Sequence, residues 1–184
     1  MPIVAQLSGM DRQGPVGSAM IGAITVRSVR MAMPDVGEQA PAFEIEATDG
    51  SLVRLDDHRG RKVVLFFYPR DDTSGCTVEV CGFRDRLHEI ADRGAVLLGV
   101  SDDPVKSHQR FTSKFSLNFP LLADVKREAI KSYGVWVEKK RGGAATMGTQ
   151  RATFLIDEDG IVAEVWPDVT PDGHAEEVIR ALDA

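Results

Sequence analysis

Residues 63–68, Val-Val-Leu-Phe-Phe-Tyr, form an unbroken run of branched and aromatic side chains, the pattern of a strand covered on both faces. Pro69 ends the run by removing a ladder donor. A polar turn follows, and then Thr73 and Ser74, good N-cap types, and Gly75, which lets the backbone turn freely. From Cys76 the apolar positions Val80, Phe83, Leu87 and Ile90 recur at helical spacing, so one helix is predicted with Cys76 in its first turn, at the start of the inward-facing stripe. A buried strand that feeds directly into a helix requires the rest of the chain to cover both sides of a sheet.

The helix start has consequences for the sulfur. The first turn of a helix offers unpaired N–H donors and roughly half a positive charge, which favours the thiolate over the thiol. The Thr73 hydroxyl is close enough in sequence to bond that sulfur or an incoming oxygen. The alternative is an inert, buried thiol, the usual state of a free cysteine. The chain's other cysteine is Cys81, on the stripe of Arg84, Asp85 and His88, so it faces outward or sideways. Five residues on an ideal helix separate two Cα atoms by roughly 8–9 Å, whereas a disulfide needs less than about 7 Å. A bond between them therefore requires the first turns to unwind, and the β-branched Thr77, Val78 and Val80 together with Gly82 weaken the helix there.

Elsewhere the chain alternates. Residues 41–47 and 51–55 read as a hairpin about Thr48-Asp49-Gly50, and residues 95–101 as a second buried strand after a helix end at Gly94. A helix opens at Asp102-Asp103-Pro104 and runs to residue 115, followed by a short strand at 119–122 and a short helix at 126–133. Residues 138–148 read as a basic, glycine-containing loop, 152–156 and 161–166 as a hairpin about Asp159-Gly160, and 171–182 as a last helix. Such alternation predicts a layered α/β domain, a central mixed sheet with helices on both faces, parallel at its centre and antiparallel at an edge. The four histidines, His58, His88, His108 and His174, are read as surface residues, and Trp136 and Trp166 as packing residues. Taken alone, Arg151 is a solvated arginine at the start of a strand.

At 184 residues the chain fits one domain, and a net charge of −6 gives no basic footprint for nucleic acid. Two cysteines five apart make neither a disulfide framework nor C-x2-C, and the histidines fall at no ligand-like spacing for zinc. No metal, haem, flavin or nucleotide is called for. Residues 1–34 stand apart as an extension expected to be disordered, with Met31 or Met33 as an alternative start; the domain proper is expected at 35–184. A transit peptide is the other reading of the arginine-containing, acid-poor extension. No run is long enough for a membrane span. The compartment is expected to be reducing and cytoplasmic.

The run Pro69-x-x-x-Thr73-x-x-Cys76 resembles the active-site motif of the peroxiredoxins, and TSGCTVEVCGFRD is similar to the subgroup called bacterioferritin comigratory protein or peroxiredoxin Q. Further matches are Gly99-Val-Ser-Asp-Asp103, Asn118-Phe-Pro-Leu-Leu-Ala-Asp124, Tyr133-Gly-Val-Trp136 and Arg151-Ala-Thr-Phe-Leu-Ile-Asp157, covering residue 36 to the C-terminus. The resemblance implies a thioredoxin-like fold and an antioxidant, thiol-dependent peroxidase acting on hydrogen peroxide and organic hydroperoxides. It implies Cys76 as the peroxidatic and Cys81 as the resolving cysteine, Thr73 as the hydroxyl bonding sulfur and peroxide, and Pro69 as the residue shielding the sulfur. Glu79 matches the acidic or amide position three residues after the cysteine, and Arg151 the distal arginine. An intramolecular disulfide, thioredoxin or a similar dithiol as reductant, and a monomer or weak homodimer are implied as well. A thioredoxin-type disulfide oxidoreductase and a non-enzymatic redox sensor are the readings from other classes.

Overall fold

The computed structural model describes residues 32–141 and 144–184. The expectations for residues 1–31 lie outside these. Pro34 is buried and Met33 packs against the core, so the packed unit includes the last residues of the expected extension.

Five strands form the central sheet: β3 (Val63–Phe67), β4 (Val96–Ser101), β5 (Leu121–Ala123), β8 (Ala152–Ile156) and β9 (Val162–Trp166), in the order β5-β4-β3-β8-β9. The β3–β4 and β4–β5 pairs are parallel, and β8 and β9 complete an antiparallel edge. A small hairpin, β1 (Glu44–Glu46) and β2 (Leu52–Arg54), leads into a 3-10 turn at Leu55–His58. The helices are α1 (Ser74–Asp85), α2 (Leu87–Asp92), α3 (Val105–Phe115), α4 (Glu128–Ser132) and α5 (His174–Leu182).

All five residues of β3 are buried, and their alternation divides the core in two. Val63, Leu65 and Phe67 point into a cluster closed by Ile45 of β1 and by Ala129, Ile130 and Tyr133 in and beside α4. Val64, Phe66 and Tyr68 point into the other, which holds Cys76, Val80 and Phe83 of α1, Phe111 of α3 and Val178 of α5. Helices therefore cover both faces, as expected. A Cβ on Gly99 would fall 2.5 Å from Phe66 Cζ, so only glycine leaves room on β4 for that ring. Phe66 in turn meets Phe83 at a centroid distance of 4.9 Å, which seats α1 on the sheet.

Three expectations are corrected. The single helix through Ile90 is two helices, because Arg86 (φ −114, ψ 10) leaves the helical region between α1 and α2. The loop at 138–148 lies within an antiparallel hairpin, β6 (Trp136–Arg141) and β7 (Ala144–Thr149), held by backbone pairing that its polar side chains did not advertise. His108 and His174 are core residues, at 0% and 1% exposure.

Candidate functional site

The site forms where β3 ends and β8 begins. Phe67 pairs with Ala152, so Arg151, one residue before β8, lies beside the turn through which the chain passes from β3 into α1. Cys76 is the third residue of α1 and is fully buried, yet its surroundings are not hydrocarbon alone: Arg151 Nη2 donates to Cys76 Sγ at 3.2 Å. The other arm of the fork, Nη1, donates to Glu79 Oε2, one turn further along α1. One guanidinium thus bridges a sulfur and a carboxylate that the helix presents on its inward face.

Burial pushes the Glu79 carboxyl up to about 7, although the charge and hydrogen bond of Arg151 pull it down, and Glu79 Oε1 is buried without a hydrogen-bond partner among the described residues. Burial works against the charge of Arg151 as well, but Glu79 and Cys76 outweigh it and raise the guanidinium above its ordinary value.

Thr73 occupies the N-cap, but its hydroxyl donates to the Arg70 carbonyl at 3.2 Å and makes no capping bond. It is exposed and faces the cleft, as does the half-buried Pro69. Cys81 is half-buried, packs partly against the cluster that contains Cys76, and is free, as Cys76 is. The structure thus brings Cys76, Glu79 and Arg151 into contact, sets Thr73 and Pro69 around the opening, and leaves Cys81 one and a half turns away in the same helix.

The cleft has a volume of about 620 Å³. Pro69, Arg70, Thr73, Ser74 and Gly75 form one wall and Trp136, Lys139 and Thr146–Thr149 of the β6–β7 hairpin the other, with Arg151 between them. An added Cβ on Gly75 would stand 3.2 Å from Arg151 Nη2, so the guanidinium that bridges Cys76 and Glu79 would have to shift by a few tenths of an ångström.

Sequence reasoning missed a group behind this wall. Tyr68 donates its hydroxyl to Asp71 Oδ1 at 2.8 Å, His108 Nδ1 lies 2.9 Å from Asp71 Oδ2, and the Asp71 amide donates to Asp103 Oδ2 at 2.9 Å. Burial opposes the Asp71 charge, but the His108 contact outweighs it and holds the carboxyl below its ordinary value. These bonds fasten the start of the turn to α3 and to the loop between β4 and α3. Three and seven residues before Phe111 and Phe115, His108 lies on an apolar stripe, a signal the sequence did carry. Among the described residues no group of three or more His, Cys, Asp or Glu side chains is placed to hold a metal ion, and no helix is long and apolar enough to cross a membrane.

Comparison with known proteins bears on this geometry. The AhpC/TSA family profile matches residues 36–165. The putative peroxiredoxin Bcp of Coxiella burnetii is 48% identical over 148 residues, 80% of this chain and 98% of that protein. Peroxiredoxin Bcp of Bacillus subtilis is 39% identical over 148 residues, 80% of this chain and 94% of its own length. Among solved structures, Xanthomonas campestris bacterioferritin comigratory protein, studied for alkyl peroxide reduction as a trapped intermediate/ligand complex, superimposes with a TM-score of 0.76 at 36% identity over 81% of this chain and 98% of its own. A Xylella fastidiosa PrxQ cysteine-to-serine mutant gives 0.78 at 32% identity over 82% and 96%.

Proposed function

Because the chain belongs to the AhpC/TSA family and is a thiol peroxidase of the Bcp, or peroxiredoxin Q, kind, we propose that Cys76 is the cysteine its peroxide oxidises and Cys81 the one that resolves it. The observation that carries this is the 3.2 Å hydrogen bond from Arg151 to Cys76 Sγ at the start of α1. The thiolate attacks the terminal peroxide oxygen, an S–O bond forms as the O–O bond breaks, and the leaving alkoxide or hydroxide takes a proton to become alcohol or water. Cys76, oxidised by two electrons, becomes a sulfenic acid. Arg151, fixed by Glu79, and the free N–H groups of the first helical turn face the charge that develops on the departing oxygen. Thr73 reaches peroxide by turning its hydroxyl from Arg70, and Pro69 limits access to the sulfur.

Cys81 then attacks Cys76 Sγ, displacing the sulfenic oxygen as water and closing a disulfide, which an external dithiol of the thioredoxin kind reduces. Turnover takes place in the cytoplasm, as monomer or weak homodimer. With thioredoxin, thioredoxin reductase and NADPH, sustained peroxide loss is expected, abolished in Cys76→Ser; Cys81→Ser accumulates the sulfenic acid. Full activity in Cys76→Ser sinks the assignment.

A further inference from the structure

Helix α1 begins without a side-chain cap, since the Thr73 hydroxyl is turned to the Arg70 carbonyl. Its first bond is the backbone one from the Thr77 amide to the Thr73 carbonyl, at 2.9 Å. The turn before Thr73 aims that carbonyl, and α3 holds the turn at two successive residues. Asp71 is buried, with His108 of α3 against its carboxylate. Asp72 is exposed, and both its oxygens accept from Lys114 Nζ of α3, at 2.6 and 2.8 Å. The Asp72 backbone is left-handed, with φ 54, a conformation that costs free energy for any residue but glycine and persists where the surroundings impose it. The end of α3 also reaches the far end of α1, where Arg84 Nη1 donates to the Phe115 carbonyl at 2.7 Å. Neighbouring residues of α3, Lys114 and Phe115, thus tie down the two ends of α1, with Cys76 and Cys81 between them. The Lys114–Asp72 tie joins two half-exposed charges, at 57% and 51%, and so answers to salt, unlike the buried Asp71.

We propose that the Lys114–Asp72 pair is a positioning contact for the resolving step: it sets how readily the first turns of α1 unwind, and so how fast Cys81 reaches an oxidised Cys76. The inference rests on the reading of Cys81 given above. With the pair formed, Asp72 stays left-handed and the Thr73 carbonyl stays aimed at the Thr77 amide. With the pair broken, the backbone at 72 relaxes, the first helical bond loses its fixed acceptor, and the turn that carries Cys76 frays. The chemistry is that already written, the S–S bond closing as the S–O bond breaks and water leaves. Oxidation of Cys76 uses the wound helix, which remains the dominant form, so the pair acts on the second step alone.

Quenched-flow alkylation with peptide mapping, on the full chain after one equivalent of hydrogen peroxide, reads Cys76 oxidation and the 76–81 linkage separately. Lys114→Met keeps the length of the side chain without its charge, and Asp72→Asn keeps a residue type that tolerates the left-handed backbone. Each is expected to speed disulfide formation at low salt by about two- to fivefold, the range of an exposed ion pair, with Cys76 oxidation unchanged. The two substitutions together should do no more than either alone, and Lys114→Arg should keep the wild-type rate. High salt should speed the linkage in the wild type and leave both variants as they are. A contact that only stabilises the fold would lower the urea midpoint and leave the linkage rate unmoved. That result in Lys114→Met or Asp72→Asn overturns the proposal, as does a matching change in the rate of Cys76 oxidation. Should Lys114→Met not fold, Asp72→Asn and the salt dependence of the wild type decide. A linkage that forms at one rate in every variant removes the pair and leaves Cys81 as the resolving cysteine, whereas no 76–81 linkage in the wild type overturns both.

Discussion

Gly82→Ala asks whether α1 melts between its two cysteines before they bond. Both cysteines are free and lie in one continuous helix, Ser74–Asp85, and Gly82 follows Cys81 directly. The nearest atom to an added Cβ is Ala175 Cβ at 3.8 Å, ordinary van der Waals contact, so alanine fits without displacing its neighbours. Alanine favours a helix interior over glycine by about 0.8–1 kcal/mol. If Cys81 must leave the helix to reach Cys76, the substitution lowers the melted population by that free energy, about fivefold. Disulfide formation should slow by the same factor, while oxidation of Cys76, which uses the intact helix, should not. Quenched-flow alkylation followed by peptide mapping after one equivalent of peroxide reads both steps. The longer-lived sulfenic acid should also show as more sulfinic acid under excess peroxide. An unchanged rate of disulfide formation in a variant whose thermal unfolding shows the added stability would refute the requirement for melting at residue 82.

Arg151→Lys replaces a fork that spans Cys76 and Glu79 with a single ammonium; losing a hydrogen bond to a charged group costs about 1.5–3 kcal/mol, or about ten- to a hundredfold in the rate of Cys76 oxidation by stopped flow. A loss below about threefold would count against the bridge. Glu79 has its folded value raised to about 7 from an ordinary 4.5, so the folded protein binds more protons than the unfolded chain between those values. Stability should therefore fall as pH rises from about 4.5 to about 7. Glu79→Gln should flatten that part of the profile of urea midpoints, and parallel slopes in the two proteins would refute the assignment. Asp71→Ala removes the carboxylate that the Tyr68 hydroxyl and His108 Nδ1 share in the core and should destabilise by about 1–3 kcal/mol in urea unfolding, against near-neutrality if the contact is incidental.

Much of this molecule could be read from its residues because local preference and burial agree there. The run 63–68 is strand by composition and strand by position, and the Val80 and Phe83 spacing seats Cys76 inward as the helix demands. Arg151 was visible only through resemblance, since its contact with Cys76 depends on the register that pairs Phe67 with Ala152 across 85 residues of chain. His108 and His174 were misread by residue type, although His174 falls on a stripe with Val178 and Leu182. The hairpin β6–β7 gave no signal because a two-sided polar strand lacks the period-two alternation that burial imposes. It is also the wall that gives the cleft its size, so the least legible segment shapes the opening.

Arg151 belongs to the sheet side of the site, one residue before β8, and the sulfur to the helix. If, as proposed, the helix comes apart to let Cys81 reach Cys76, the guanidinium stays behind as a fixed landmark. Once the disulfide has been cleaved, rewinding a dozen residues onto that landmark is a task of microseconds or less, the scale of helix–coil relaxation. On that proposed route, resetting the helix adds no slow step between one turnover and the next.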